Sequence, residues 1–98
     1  MNASFRDESD DFAELVEMYV AEMPARIAAL SAAVASNDRD QVRRLLHQLV
    51  GSAGSYGFNS LSVEARKVEM ALHAGVSLPE VSSGIRDLIE LCERVQIA

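Results

Sequence analysis

The chain has 98 residues, 49% of them apolar, with no tryptophan, two prolines and a single cysteine; that length supports one domain, 1–98, burying roughly 60–70% of its unfolded surface, and the composition favours an all-α fold. Nine basic against fifteen acidic residues leave a net charge of −6, which argues against general nucleic-acid binding. No apolar run can span a bilayer, Met1–Asp11 is too polar for a cleavable leader, and Cys92 has no internal disulfide partner, so a cytoplasmic setting is expected, with Met1 and the polar N-terminus leaning toward a free-standing protein over an excised domain.

In chain order, Ser9 before Asp10 and Asp11 reads as a helix N-cap with acids in the first turn. Phe12, Leu15, Val16, Tyr19, Val20 and Met23 then form an apolar stripe to about residue 23. Pro24 is compatible with the first turn of a new helix or with a kink. Ile27, Leu30, Ala33 and Val34 continue at helical spacing to a polar turn at Ser36-Asn37-Asp38. Asp38 or Asp40 begins the next helix, which Gly57 terminates in a left-handed conformation. Ser60 caps a fourth segment with Leu61, Ala65, Val68, Met70 and Leu72 as its apolar positions, finished by His73-Ala74-Gly75. Leu78-Pro79-Glu80 opens the last, with Val81, Ile85, Leu88, Ile89, Cys92 and Val95 turned inward. Five segments with short connections predict an antiparallel, up-down-up-down four-helix bundle preceded by a short N-terminal covering helix.

The central helix carries the chain's most informative pattern. At about 100° per residue, Val42, Leu45, Leu46, Leu49, Ala53 and Tyr56 gather on one face, and His47 points about 150° away from its middle. One turn from His47 stand Arg43, Arg44, Val50 and Gly51, with Gly54 two turns on. A histidine on a polar face is most often simply solvated. Here, however, two glycines sit inside the helix on its own side, each costing about 1 kcal/mol relative to alanine. Space for close approach of another molecule is the simplest use for them.

Other candidates read more plainly. His73 lies near a helix C-terminus, where a partly positive imidazole is favoured by the dipole. The two histidines belong to different helices with no Cys, Asp or Glu at ligand spacing, so no metal site is expected. Met18, Met23 and Met70 read as core or interface filler. Gly51-Ser52-Ala53-Gly54 is no phosphate-cradling loop, since no strand precedes it and no Gly-Lys-Ser/Thr follows.

The run His-x-Leu-x-Gly-Ser-Ala at His47, Leu49, Gly51, Ser52 and Ala53, with Gly57 ten residues after the histidine, resembles the signature of the histidine-containing phosphotransfer (HPt) domain. Leu61, Ala65, Val68, Glu69 and Leu72 are similar to the family's following helix, so the likeness covers most of the chain. One departure stands out: the family's usual lysine, three residues after the histidine, is Val50 here.

The resemblance implies a phosphorelay intermediate of bacterial two-component signalling rather than an enzyme. His47 would accept a phosphoryl group from a receiver-domain aspartate and pass it to another receiver. Neutral imidazole is a nitrogen nucleophile, titrating near 6.5 when unperturbed, and phosphoryl transfer depends mainly on positioning and charge neutralisation. The chain needs no cofactor of its own, because the receiver of a response regulator or hybrid histidine kinase brings the aspartate, Mg²⁺ and a lysine. Gly51 would admit the receiver, Gln48 would contact it, and Arg43 or Arg44 would supply the charge Val50 lacks, with Arg43 favoured because it shares a side of the ring with Val50. Val50 and Gly54, with Leu15, Tyr19 or Met23 of the first helix, would form the docking patch of a monomer. Two alternatives remain. A receiver-docking module that exchanges no phosphate finds support in Val50. A histidine-kinase dimerisation segment is disfavoured by Gln48 after the histidine and by the absence of proline between it and Pro79.

Overall fold

The computed structural model describes residues 8–95, with side chains from residue 11. They form four α-helices, α1 (Glu8–Ala35), α2 (Arg39–Ser55), α3 (Asn59–His73) and α4 (Ser82–Glu93), with a 3₁₀ turn at Pro79–Val81 and no strand among the described residues.

The first difference from the sequence reading is at Pro24. The two predicted N-terminal segments are one helix of 28 residues with Pro24 inside it, so the described residues include no separate covering helix, and α1 is already helical at Glu8 rather than capped by Ser9. Proline removes one backbone hydrogen bond, but Pro24 is exposed. The stripe Tyr19, Met23, Ile27, Leu30 and Ala33 runs through it without a phase break and packs into the core. Tertiary burial of an amphipathic face outweighs one lost bond.

The helix ends are set locally. Asp38 caps α2, its Oδ1 accepting from the Gln41 N–H at 3.2 Å. At the other end Gly57 takes φ +87°, Phe58 N–H donates to Ala53 O at 2.8 Å and Gly57 N–H to Gly54 O at 3.2 Å, the paired bonds of a Schellman stop. Asn37 and Gly75 end α1 and α3 in the same way. Two start signals shift: α3 begins at Asn59 with no side-chain cap, leaving Ser60 inside it. Before the last helix, Ser77 Oγ donates to Glu80 Oε1 at 2.8 Å, and Ser77 Oγ in turn accepts from the Glu80 N–H at 3.4 Å. This capping box organises the 3₁₀ turn that precedes α4.

Each helix packs on two others, α1 and α3 both meeting α2 and α4. Val42, Leu46, Leu72 and Leu88 are the largest fully buried side chains, and no charged side chain is buried among the described residues. Cys92 is buried in this core, and burial pushes its thiol up to about 11. Met23 is core, whereas Met18 and Met70 stand exposed. The closest pair is α2 and α3, the start of one against the end of the other: the Arg39 guanidinium donates to Leu72 O and, at 2.6 Å, to Val76 O. Arg39 thereby closes the carbonyl end of α3 and fixes how α2 presents its outer face.

Candidate functional site

The core face of α2 is as the periodicity placed it: Val42, Leu46, Leu49 and Ala53 are buried, Leu45 and Tyr56 half-buried against them. That leaves His47 outward, its side chain 77% exposed. Its ring is nevertheless held. Nδ1 lies 2.8 Å from Oε2 of Glu69 on α3. An ionised carboxylate only accepts hydrogen bonds, so Nδ1 carries the hydrogen. In the neutral ring Nε2 is then the nitrogen with the free lone pair, pointing nearly opposite to Glu69.

Sequence reasoning gave Glu69 no role. It lies 22 residues away on another helix, and only the register of α3 against α2 brings it to the ring. That register is pinned beside the site. Ser62 Oγ donates to Val50 O at 2.7 Å, and a Cβ on Gly54 would come within 3.4 Å of Ser62 Oγ. A side chain on Gly54 would therefore face α3, in ordinary van der Waals contact with Ser62, rather than the imidazole. Gly51 behaves differently, for a Cβ there would meet nothing within 4 Å. Ser55 Oγ donates to Gly51 O at 2.9 Å.

On the other flank α1 is tied to α2 by the hydrogen bond shared by Tyr19 Oη and Ser52 Oγ at 2.7 Å. The Tyr19 ring stacks on Tyr56 and Phe58, with the Arg26 guanidinium 4.9 Å from its centroid. Burial raises the Tyr19 phenol above its ordinary value, partly offset by the Ser52 hydrogen bond and Arg26. Tyr19 and Met23, expected in the docking patch, are 3% and 2% exposed and offer no surface to a partner. The stripe that folds α1 onto the core cannot also face outward. Leu15 is exposed, and so are Phe12 and Met18 beside it.

Arg43, Arg44, His47, Asp40, Glu69 and His73 line one open depression. Arg43 approaches Asp40 at 4.0 Å, and Val50 is half-buried against the core. Gln48 lines a crevice with Arg26, Ile27 and Leu30 of α1. No group of three or more His, Cys, Asp or Glu among the described residues is placed to hold a metal ion, and no helix among them is long and apolar enough to cross a membrane. The site therefore presents an outward imidazole held at one nitrogen, open at the other and flanked by guanidiniums, an arrangement with an exposed nitrogen nucleophile beside positive charge.

The family model described as Hpt domain matches residues 14–98. The chain belongs to this family, as the resemblance around His47 implied. Hpt domains are phosphocarrier modules of phosphorelay signalling, and they interact with receiver domains of response regulators. No curated protein and no solved structure matches the chain.

Proposed function

We propose that this protein takes a phosphoryl group from the aspartate of one receiver domain onto Nε2 of His47 and passes it to the aspartate of another. The observation that carries this reading is the 2.8 Å contact of Nδ1 with Glu69 on an otherwise exposed ring. The Nε2 lone pair forms the N–P bond as the P–O bond to the aspartate breaks, and that electron pair leaves on the aspartate carboxylate. The proton on Nδ1 stays where it is. The ring therefore becomes positively charged as it is phosphorylated, and Glu69 stands against that charge. In the return step the same bonds exchange in reverse, so the chain acts as a carrier with no net chemistry of its own.

Mg²⁺ and the second cation belong to the receiver in this scheme. The ring of helix contacts, with α2 starting where α3 ends, supports an antiparallel four-helix bundle as the scaffold that presents α2. The competing reading, docking without transfer, draws on Val50, which puts no charge beside the ring. The experiment is incubation with phosphorylated receivers. The native protein should gain acid-labile, alkali-stable phosphate, His47→Ala should gain none while keeping its helical circular dichroism, and His73→Ala should still be labelled. Labelling of His47→Ala but not of His73→Ala would assign the wrong histidine, and no labelling of the native chain would favour the docking module.

A further inference from the structure

We infer that Arg44, rather than Arg43, is the residue of this chain that neutralises the transferring phosphoryl group. The inference rests on the phosphotransfer reading above and makes it specific about charge.

Two flanks of α2 have to be told apart. Relative to His47, Arg43, Val50 and Gly54 fall within about 60° on one side of the helix, and Arg44, Gly51 and Gln48 within about 100° on the other. Contacts identify each side. Val50 and Gly54 meet Ser62, so theirs is the α3 flank. Gln48 shares a crevice with Arg26 and Ile27, so its side is the α1 flank. Glu69 holds Nδ1 from α3, and the two ring nitrogens point out of the imidazole in nearly opposite directions. Nε2, and any group bonded to it, is therefore turned away from α3 and outward, on the α1 side of the helix.

The cations sort accordingly. Arg43 lies on the flank that Nε2 turns away from and is paired with Asp40. Arg39 is committed to the carbonyls of Leu72 and Val76. Arg26 sits over the Tyr19 ring and pairs with Glu22 at 3.6 Å. Arg44 lines the His47 depression and has no carboxylate partner among the described residues. Helical side chains lean toward the N-terminus, which carries the His47 ring back over the turn that holds Arg44. Gly51, one turn ahead on the same flank, leaves the approach to Nε2 open. A five-donor planar fork suits a phosphoryl group. Here it would lie beside the equatorial oxygens while the N–P bond forms and the P–O bond to the receiver aspartate breaks.

The test loads the native chain and its variants both from phosphorylated receivers and from phosphoramidate, whose P–N bond breaks to release ammonia as His47 Nε2 takes the phosphoryl group. Arg44→Ala should lower the maximal transfer rate about ten-fold with little change in the half-saturating donor concentration, and Arg44→Lys should recover most of it. Arg43→Ala should cost at most two- to three-fold. Phosphorus NMR adds a readout that a merely structural role would leave unmoved. A neighbouring cation favours the phosphoryl dianion, so Arg44→Ala should shift the phosphoryl titration midpoint upward and Arg43→Ala should leave it in place. A larger loss in Arg43→Ala, or native rates and midpoints in Arg44→Ala, overturns the inference while leaving His47 as the carrier. Failure of the native chain to take phosphate on His47 from either donor overturns both.

Discussion

The two sides of His47 are built in contrasting ways. Toward α3 the site is closed and bonded: Glu69 on Nδ1, Ser62 on the Val50 carbonyl, Gly54 facing Ser62, Val50 half-buried. Toward α1 it is open, with no atom near the place of a Gly51 side chain and with Leu15 and Met18 of α1 exposed. On the phosphotransfer reading proposed above, one flank fixes the nucleophile and the other is left for the phosphate donor. A carrier of this kind would need both: a ring free to turn would present the right nitrogen part of the time, and a ring walled in would never meet a receiver.

The largest effect on this contrast should come from closing the open flank. Gly51→Gln adds a long side chain where there is now space. Because glycine is the poorer helix former by about 1 kcal/mol, the variant should melt a few degrees higher, on the order of 4–8 °C per kcal/mol for a domain of this size. Transfer should nonetheless fall on the order of 100-fold, the usual consequence of displacing a reacting pair by about an ångström. Melting curves and single-turnover transfer with a phosphorylated receiver check the two together. A stabilised variant with native transfer would show that the flank is not an approach route.

Loosening the bonded flank should matter less. Glu69→Ala removes both the acceptor and the charge facing the ring, and a loss of about ten-fold in rate corresponds to about 1.4 kcal/mol of barrier. Glu69→Gln keeps an oxygen for Nδ1–H but not the charge, so it should fall between the two. Nitrogen NMR of the imidazole reports the cause directly: the Nδ1–H tautomer should dominate in the native chain and lose ground in Glu69→Ala. Unchanged tautomer populations in that variant would separate Glu69 from the site.

How far these flanks could be read from the sequence follows from the range of the interactions involved. The inward face of α2 follows from periodicity, and its Gly57 stop and a start at Asp38 or Asp40 from local residue type, the structure choosing Asp38. The outward pose of His47 follows from the same wheel. The continuity of α1 through Pro24 was hidden, because a proline marks a boundary locally while the stripe from Tyr19 to Ala33 is rewarded only on packing against α2 and α4. Tyr19 and Met23 look like docking residues for a related reason: an apolar side chain on an amphipathic helix looks the same whether it meets the core or a partner. Glu69 was out of reach altogether, since its role depends on the α2–α3 register, which Arg39 and Ser62 set from well separated positions. With that register known, the proposed direction of Nε2 favours Arg44 over Arg43, which the transfer rates of the two alanine variants decide.

The smallest effect is expected where the family's usual lysine is absent. Val50→Lys restores an ammonium one turn from His47, and charge beside a transferring phosphoryl group ordinarily lowers the barrier. Val50, however, is on the α3 flank, against Ser62 and the core. A lysine there can lay its stem over the same apolar surface and raise its head to solvent, losing about 1 kcal/mol of burial, and its ammonium would meet Glu69 before it met anything held on Nε2. It would then compete with Nδ1 for the carboxylate. The transfer rate should change by less than about three-fold, under 1 kcal/mol of barrier, and a modest slowing is the expected sign. Rates for Val50→Lys and for Val50→Lys combined with Arg44→Ala distinguish the cases. If the lysine accelerates transfer ten-fold, and does so equally without Arg44, the phosphoryl group sits toward α3, and the assignment of a fixed flank and an open flank has to be reversed.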